Sequence, residues 1–283
     1  MNICIACGDE IRVVKQINAI EVGTENRYKI EFCKCGIGKS IVDNINNSTI
    51  NSEVYNDLEN RIKIYYNRLF NHLNIRNNEA FNRILESCEK KDALIIGSNI
   101  GVTANYAKSK GLNVKTCEIN DKCRAFSKLV YDIDGYKDFF DVKVKFDILT
   151  MFDVLEHFPN PEAAIKKSYE VLNESGIIFI QLPNNNSSAA KLYGENWNWY
   201  NPPDHTYHFC PNSLKLLVER NGFNVAWNRT VDVIEDKKLA KCVPRKFRSK
   251  FIELLYKNPY YHPKLYPNKK GSGGLIQMIV KKK

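Results

Sequence analysis

The residues best placed to do chemistry follow four short apolar runs in the middle of the chain. The first run leads into a glycine turn, Gly97-Ser98-Asn99-Ile100-Gly101, and the second ends at Glu118-Ile119. The third run ends at Phe152-Asp153, and the fourth ends at Leu182-Pro183. Continuous apolar runs are typical of parallel strands that are buried on both faces. Because parallel strands end at one edge of a sheet, these residues are predicted to meet there.

A glycine turn followed by an acid at the next strand end is suited to binding a nucleoside. The turn lets the backbone approach a ligand closely, and the acid can accept hydrogen bonds from both ribose hydroxyls. The alternative is a tight strand-to-helix turn without a ligand, which Glu118 makes less favoured. A dinucleotide would favour G-x-G-x-x-G and a nucleoside triphosphate would favour a P-loop, and this segment has neither. The pattern therefore favours S-adenosylmethionine, a nucleoside without phosphate.

These segments resemble the class I S-adenosylmethionine-dependent methyltransferases over roughly residues 90–230. Gly97 and Gly101 match the first and third glycines of that family's Gly-x-Gly-x-Gly turn, and Asn99 stands in for the middle one. Ile95 replaces the acid that usually precedes the turn and helps to organise the methionine amino group. Glu118 matches the ribose-binding acid.

Further matches extend the resemblance. Residues 152–161, Phe-Asp-Val-Leu-Glu-His-Phe-Pro-Asn-Pro, match the segment after the fourth strand in a large subfamily, and Leu182-Pro183-Asn184 match the end of the fifth. The resemblance implies an α/β fold over residues 91–283, a Rossmann-like doubly wound sheet of the class I methyltransferase type. It also implies that the cofactor is bound by Gly97, Ser98, Asn99, Gly101, Glu118, Ile119, Phe152 and Asp153.

Four cysteines near the start of the chain have the spacing of metal ligands. Cys4 and Cys7 form a C-x-x-C-G knuckle, and Cys33 and Cys35 form a C-x-C-G knuckle. Two facing knuckles can supply the four thiolates of a tetrahedral structural zinc site. Alternating residues between the knuckles predict a small antiparallel ribbon, so residues 1–45 are predicted to be a separate zinc ribbon. The alternative is a set of free, half-buried thiols.

A zinc ribbon ahead of this fold resembles enzymes that modify sugars and other polysaccharide precursors. In those enzymes the zinc module shapes the substrate side and does no chemistry. The same combination also resembles certain ribosomal RNA methyltransferases, so the ribbon does not decide between the two substrate classes.

Residues 46–90 are predicted to form a helical linker or lid. Apolar residues recur at helical spacing between Ser52 and Glu89, with a break at Asn71 to Asn78. We expect these helices to cover the cofactor cleft, as N-terminal helices commonly do in the family that the chain resembles.

A second cluster of chemically useful residues follows the fourth run, between Trp197 and Phe209. Its prolines and aromatics predict a rigid loop beside the cofactor. A histidine in this loop is the base in related sugar methyltransferases, and His205 could take a proton near neutral pH if Asp204 or a neighbour orients it. The predicted catalytic residues are His205, Asp204, His157 and His208, and the predicted substrate contacts are Trp197, Trp199, Tyr200 and Tyr207. The alternatives are packed histidines with satisfied hydrogen bonds and a hydrophobic lid.

Positive charge is concentrated at the C-terminal end. Residues 237–283 contain 14 Lys or Arg and one acid, Glu253, a net charge of +13, whereas the whole chain has +10. A basic insertion at about 236–270, ahead of a final strand at Leu275 to Val280, favours an anionic partner such as RNA or a membrane surface. The alternative is a solvated face.

Composition and sequence pattern indicate the cellular compartment of the protein. The sequence shows no apolar stretch of about 18 residues and no leader pattern. Nine cysteines without an export signal favour a reducing compartment. The chain is therefore predicted to be cytoplasmic, with peripheral attachment to the inner face of the membrane as an extension of that prediction.

Together these features predict a methyltransferase that acts on a sugar or other small-metabolite acceptor, free or carrier-linked, in surface glycan biosynthesis. One alternative is an RNA methyltransferase that uses the ribbon and the basic insertion. The other is a non-catalytic binding protein, motivated by Ile95 and Asn99. The acceptor atom and the oligomeric state are left open by the sequence.

Overall fold

The computed structural model describes residues 3–42, 58, 62, 70–233, 265–268 and 271–283. Most of the helical segment predicted before residue 70 and most of the basic insertion predicted at about 236–270 lie outside these residues. Within the described part of the chain, no helix is both long and apolar enough to cross a membrane.

A small antiparallel sheet forms first. Its strands alternate polar and apolar residues, and the side chains of Ile30 and Phe32 on the second strand are buried. The strands are β1 (Val13–Ile20), β2 (Arg27–Cys33) and β3 (Gly38–Ile41). A fourth strand, β9 (Tyr207–His208), pairs with β3 from far along the chain. The predicted antiparallel ribbon is present, and it includes residues from the loop that follows the main sheet.

The main sheet has eight strands among the described residues and mixes parallel and antiparallel pairs. Its parallel strands are β4 (Asp92–Ile96), β5 (Asn113–Cys117), β6 (Gly135–Tyr136), β7 (Phe146–Phe152) and β8 (Leu172–Pro183). Its antiparallel additions are β10 (Phe223–Val233), β11 (Leu265–Asn268) and β12 (Leu275–Lys282). The order across the sheet is β11-β10-β12-β8-β7-β4-β5-β6. The predicted Rossmann-like sheet is confirmed, and β12 contains the predicted final strand.

The central strands are buried because helices cover both faces. Successive residues of a strand point to opposite faces, so Ile178 and Ile180 enter one core cluster while Ile177 and Phe179 enter another. The helices are α1 (Phe70–Ser87), α2 (Val102–Ser109), α3 (Asp121–Tyr131), α4 (Pro161–Val171), α5 (Ser188–Tyr193) and α6 (Pro211–Arg220). Most side chains of these strands are apolar, and the amides of the buried Gln181 and Gln277 are hydrogen-bonded to each other at 2.8 Å.

Helix α1 differs from the sequence-based expectation. It runs without interruption through residues 71–78, where the apolar spacing is interrupted and predicted a break. Helix propensities differ by less than about 1 kcal/mol for such residues, so packing elsewhere in the helix can override them. Phe81 and Ile84 are fully buried against the sheet face that also contains Ile95 and Phe179. This half of the helix therefore covers a face of the sheet.

The ribbon is not isolated from the larger sheet. Cys4 and Ile37 belong to the same core cluster as Leu214 and Leu217 of α6. The Arg220 side chain donates a hydrogen bond of 3.0 Å from Nη1 to the carbonyl oxygen of Ile5. The predicted boundary near residue 45 is therefore crossed by shared packing and by the β3–β9 pairing.

Truncation of Phe179 tests the packing between α1 and the sheet. Phe179 is fully buried, and its ring centroid lies 5.0 Å from that of Phe152. We expect Phe179→Ala to lower the free energy of unfolding by about 3–5 kcal/mol in urea denaturation, because it removes apolar contacts and leaves a cavity. Leu129→Ala, at a side chain that is 85% exposed, should change it by less than about 0.5 kcal/mol. Equal effects of the two variants would contradict this packing.

Candidate active site

The glycine turn after β4 depends on three residues with left-handed backbone. The φ angles are 66° at Gly97, 52° at Asn99 and 86° at Gly101. A Cβ atom at Gly97 would lie 2.4 Å from Cγ2 of Val154, so the close approach of the two strand ends also requires glycine. Asparagine tolerates the left-handed region better than most residues. Asn99 therefore keeps the backbone form of the glycine that it replaces.

Glu118 lies directly beside this turn. Its Oε2 accepts a hydrogen bond of 2.8 Å from the backbone N–H of Asn99, and its Oε1 accepts one of 3.0 Å from that of Asn120. The neighbouring Ile119 side chain is 55% exposed, whereas Ser98 is buried. The structure thus brings the predicted glycine turn and the predicted ribose acid together at the carboxyl ends of β4 and β5.

Asp153 completes this edge at the end of β7. It has a φ of 56°, and its backbone N–H donates a hydrogen bond of 2.8 Å to the carbonyl oxygen of Gln181. Phe152 turns the other way, with ring centroids 5.0 Å from Phe179 and 5.8 Å from Phe81. Asp153 is therefore at the predicted cofactor edge, while the Phe152 ring packs with the core beneath it.

Ile95, which stands where the resembled family usually has an acid, is a core residue in this structure. It is buried in the core cluster between the sheet and α1, together with Ala93 and Ile148. A carboxylate in this apolar setting would lose its hydration without gaining a partner. The residue serves packing at this position.

A buried polar cluster lies next to Asp153, in the one-turn helix Leu155–His157. The Glu156 side chain is only 1% exposed, and neither carboxylate oxygen has a hydrogen-bond partner among the described residues. The His157 ring lies edge-on to the His205 ring, with centroids 4.6 Å apart. Two of the predicted catalytic histidines are thereby brought together beside an acid that the sequence analysis did not select.

Asp204 orients His157, whereas the sequence analysis assigned it to His205. His157 Nδ1 lies 3.0 Å from the Asp204 carbonyl oxygen and 3.4 Å from its Oδ1. His205 Nδ1 instead lies 2.9 Å from the carbonyl oxygen of Trp199. The turn that includes the cis Pro202–Pro203 bond and the hydrogen bond from His205 N to Asn201 O fixes this arrangement, which local sequence could not show.

Burial and charge shift the pKa values of the cluster in different directions. Burial raises the pKa of Glu156 to about 8. Burial lowers the pKa of His157, but the hydrogen bond with Asp204 and the charge of Glu156 outweigh it and bring it to about 9. Burial, with the nearby His157 charge, lowers the pKa of His205 to about 4. The His205 imidazole is therefore neutral at physiological pH.

The aromatic loop surrounds a small cavity next to this cluster, with a volume of about 10 Å³, which is room for about one water molecule. Four of its lining residues are predicted site residues besides His205: Trp197, Trp199, Tyr207 and His208. Tyr200 does not line it, because its ring is buried against Phe32 of the ribbon, with centroids 6.2 Å apart. The predicted substrate contact at Tyr200 is a packing residue in this structure.

His208 joins the ribbon to the loop. Its Nε2 lies 2.9 Å from the Ser40 hydroxyl oxygen, and this hydroxyl donates a hydrogen bond of 2.8 Å to the carbonyl oxygen of His205. The His208 side chain is buried, and its lowered pKa results from that burial. Because Nε2 of His208 is occupied by the contact with Ser40, His205 and His157 are better placed than His208 for proton transfer.

Three residues of this region were missed by sequence reasoning: Glu156, Asn185 and Ser40. Glu156 stands directly before His157, and an acid next to a selected histidine was the available signal. Asn185 donates hydrogen bonds of 2.9 Å from Nδ2 to the carbonyl oxygens of Gly36 and His208. Its backbone N–H donates one of 2.8 Å to Phe209, so the two ends of the loop are tied together. Ser40 and Asn185 act through long-range contacts that no local pattern reveals.

The four N-terminal cysteines converge as predicted for metal ligands. Cys4 Sγ lies 3.7 Å from Cys35 Sγ, and Cys7 Sγ lies 4.0 Å from Cys33 Sγ. All four sulfurs lie within 4.8 Å of one another. Tetrahedral zinc with Zn–S bonds of about 2.3 Å separates its sulfurs by about 3.8 Å. The set fits a Zn²⁺ ion, even though the second knuckle has one residue fewer than the first.

Solved structures share this fold. The chain is similar to a Thermotoga maritima S-adenosylmethionine-dependent methyltransferase, described as a possible histamine N-methyltransferase, with 16% identity and a TM-score of 0.57. That match covers 81% of this chain and 98% of the other. An Archaeoglobus fulgidus S-adenosylmethionine-dependent methyltransferase matches with 18% identity and a TM-score of 0.56, covering 80% and 100%. At these identities the likeness concerns the fold.

A curated relative matches over a short stretch. The ubiquinone biosynthesis O-methyltransferase of Glaesserella parasuis serovar 5 (strain SH0165) is 44% identical over 48 residues. That stretch is 17% of this chain and covers only 20% of the relative's own length.

A family profile described as "Methyltransferase domain" matches residues 58–226, which is more than half of the chain. The matched region contains the glycine turn, Glu118, Asp153 and the polar cluster at Glu156. The chain therefore belongs to this methyltransferase-domain family.

Proposed function

We propose that this protein transfers a methyl group from S-adenosylmethionine to a hydroxyl oxygen of a small acceptor. The observation that carries the proposal is the buried cluster of Glu156, His157 and His205, which lies beside the cofactor edge and borders the loop cavity. Methylation of a hydroxyl requires removal of its proton, and the cluster contains side chains that can accept or orient that proton. The O-methyltransferase named among the relatives also supports oxygen as the accepting atom.

The protein needs only to align the acceptor oxygen with the methyl group and to control where the hydroxyl proton goes. The acceptor oxygen forms a bond to the methyl carbon, and the carbon–sulfur bond breaks with its electron pair going to sulfur. The products are S-adenosylhomocysteine, the methyl ether and one proton. Glu118 and the glycine turn would hold the nucleoside, while the loop would hold the acceptor in line with the methyl group.

A sugar or other small metabolite in surface glycan biosynthesis is the acceptor class that we favour. Trp199 lines the cavity and is partly exposed, and such an aromatic face can stack on a sugar ring, whereas Trp197 is buried and packs edge-on against Tyr200. The ribbon contacts this loop through Ser40 and Phe32. That contact supports the substrate-shaping role expected of a zinc ribbon in glycan-modifying relatives.

We further propose that Cys4, Cys7, Cys33 and Cys35 hold a structural zinc ion. Cys4, Cys33 and Cys35 are buried, and their sulfurs and that of Cys7 lie within 4.8 Å of one another. A ribbon of this size has too little core to be stable alone, and zinc ligation contributes on the order of 10 kcal/mol.

Cofactor binding gives the most direct test. We expect calorimetric titration to show micromolar binding of S-adenosylmethionine. Glu118→Gln should weaken it about tenfold or more, because a charged acceptor for the ribose hydroxyls is lost. Glu170→Gln, at a solvent-facing acid on α4, should bind normally. Failure of both S-adenosylmethionine and S-adenosylhomocysteine to bind the wild-type protein would favour the non-catalytic alternative.

The acceptor class can be tested by mass spectrometry of reactions with nucleotide-linked sugars, catechols and RNA. We expect methylation of a sugar hydroxyl. His205→Gln should reduce kcat by about 10²–10⁴-fold without changing cofactor affinity. Leu192→Ala, at a side chain that is 76% exposed, is the matched control near the loop. Methylation of RNA, or of an acceptor nitrogen, would contradict this part of the proposal.

Zinc can be tested by metal analysis of purified protein. We expect about one zinc per chain in the wild type and in Cys88→Ser, whose sulfur lies outside the four-cysteine set. Cys4→Ser and Cys33→Ser should lose the metal and melt at a lower temperature. Equal zinc contents in all four proteins would show that these cysteines are free thiols.

A further inference from the structure

The Glu156 carboxylate is the least explained group in the described part of the chain. It is 1% exposed, and both of its oxygens lack hydrogen-bond partners there. A buried carboxylate without partners is costly, whereas one that coordinates a cation is not. Glu156 and His205 line the same small cavity, whose volume of about 10 Å³ has room for a single ion or water molecule.

The two neighbouring histidines are arranged as metal-ligating histidines usually are. His157 Nδ1 is held by Asp204, and His205 Nδ1 is held by the Trp199 carbonyl oxygen. A ligating imidazole commonly donates its other ring N–H to a carboxylate or a backbone carbonyl, which fixes the ring and its tautomer. Within the described part of the chain, Nε2 of neither ring has a hydrogen-bond partner, so both can turn to a cation, which would displace the proton that His157 carries at neutral pH.

The three side chains converge on one point. One ligand atom from each of Glu156, His157 and His205 can be chosen so that all three lie within 4.8 Å of one another. We propose that these three residues bind one divalent transition-metal cation at the acceptor side of the active site. Two imidazoles and one carboxylate suit Mn²⁺, Fe²⁺, Co²⁺ or Zn²⁺ and leave coordination positions open.

The catalytic role of this cation rests on the proposed function, because it would act on the acceptor hydroxyl in that reaction. An acceptor hydroxyl in an open position would become more acidic, because the cation stabilises the alkoxide. The proton leaves to solvent water, and the oxygen then attacks the methyl carbon as described above. The cation and the structural zinc occupy different donor sets, since one site offers nitrogen and oxygen and the other offers four sulfurs.

Binding of Mn²⁺ alone tests the proposal without any acceptor. Mn²⁺ prefers oxygen and nitrogen ligands over thiolates, so the four-cysteine site should not take it up. We expect electron paramagnetic resonance titration of the zinc-replete, full-length protein to show one bound Mn²⁺ per chain. Glu156→Gln and His205→Asn should weaken that binding at least about tenfold, and Asp204→Asn, which disturbs the orientation of His157, by about tenfold. Glu170→Gln is the matched control and should bind as the wild type does.

Circular dichroism and titration with S-adenosylmethionine, repeated on each variant, separate the two proposals. Retained fold and cofactor affinity with lost Mn²⁺ binding would support the cation site. Absence of Mn²⁺ binding to the wild type, or equal affinity in Glu156→Gln and His205→Asn, would overturn it and leave the cluster as an internally paired acid and imidazolium. Absence of cofactor binding would overturn the proposed function, while Mn²⁺ binding would still decide whether the site exists.

Discussion

Burial of both sheet faces is the constraint on which the architecture of this protein depends. Because the central strands contribute side chains to a core on either side, the few polar side chains within them are buried, and the polar groups that can face a ligand stand where the strands end. Gly97, Glu118 and Asp153 stand at three such ends, and the parallel direction of β4, β5 and β7 brings them to one edge. The position of the cofactor side therefore follows from hydrophobic burial before any ligand is considered.

The sequence predicted those parts of the protein whose signals are local. Apolar runs located the parallel strands, and the knuckle spacing located the four sulfurs that converge. Asn99 shows how a local departure can be harmless, since its φ of 52° preserves the left-handed turn. Ile95 is the opposite case, because its place in the core is visible only when the packing of α1 is known.

Long-range contacts were beyond the reach of the sequence. The β3–β9 pairing joins residues about 170 positions apart, and nothing in either segment indicates its partner. The pairing of Asp204 with His157, and of His205 with the Trp199 carbonyl, depends on the path of the turn around Pro203. The burial of Glu156 is likewise visible only in the structure, because its 1% exposure depends on distant segments that enclose it. The interrupted apolar spacing at residues 71–78 did not indicate that α1 continues through them.

The loop between β8 and β9 is tied at both ends to elements outside it. Asn184 bonds to the glycines just before β12 and Asn185 bonds to Phe209, while β9 is fixed to the ribbon. A loop whose ends are already closed adds little closure entropy when its interior changes length or composition. Exposed interior positions such as Leu192 can therefore diversify under selection, whereas Tyr200 and Asp204 are held by packing and hydrogen bonds. The ribbon would then hold the ends of a variable loop in place, and changes within that loop could give one fold new acceptors during evolution.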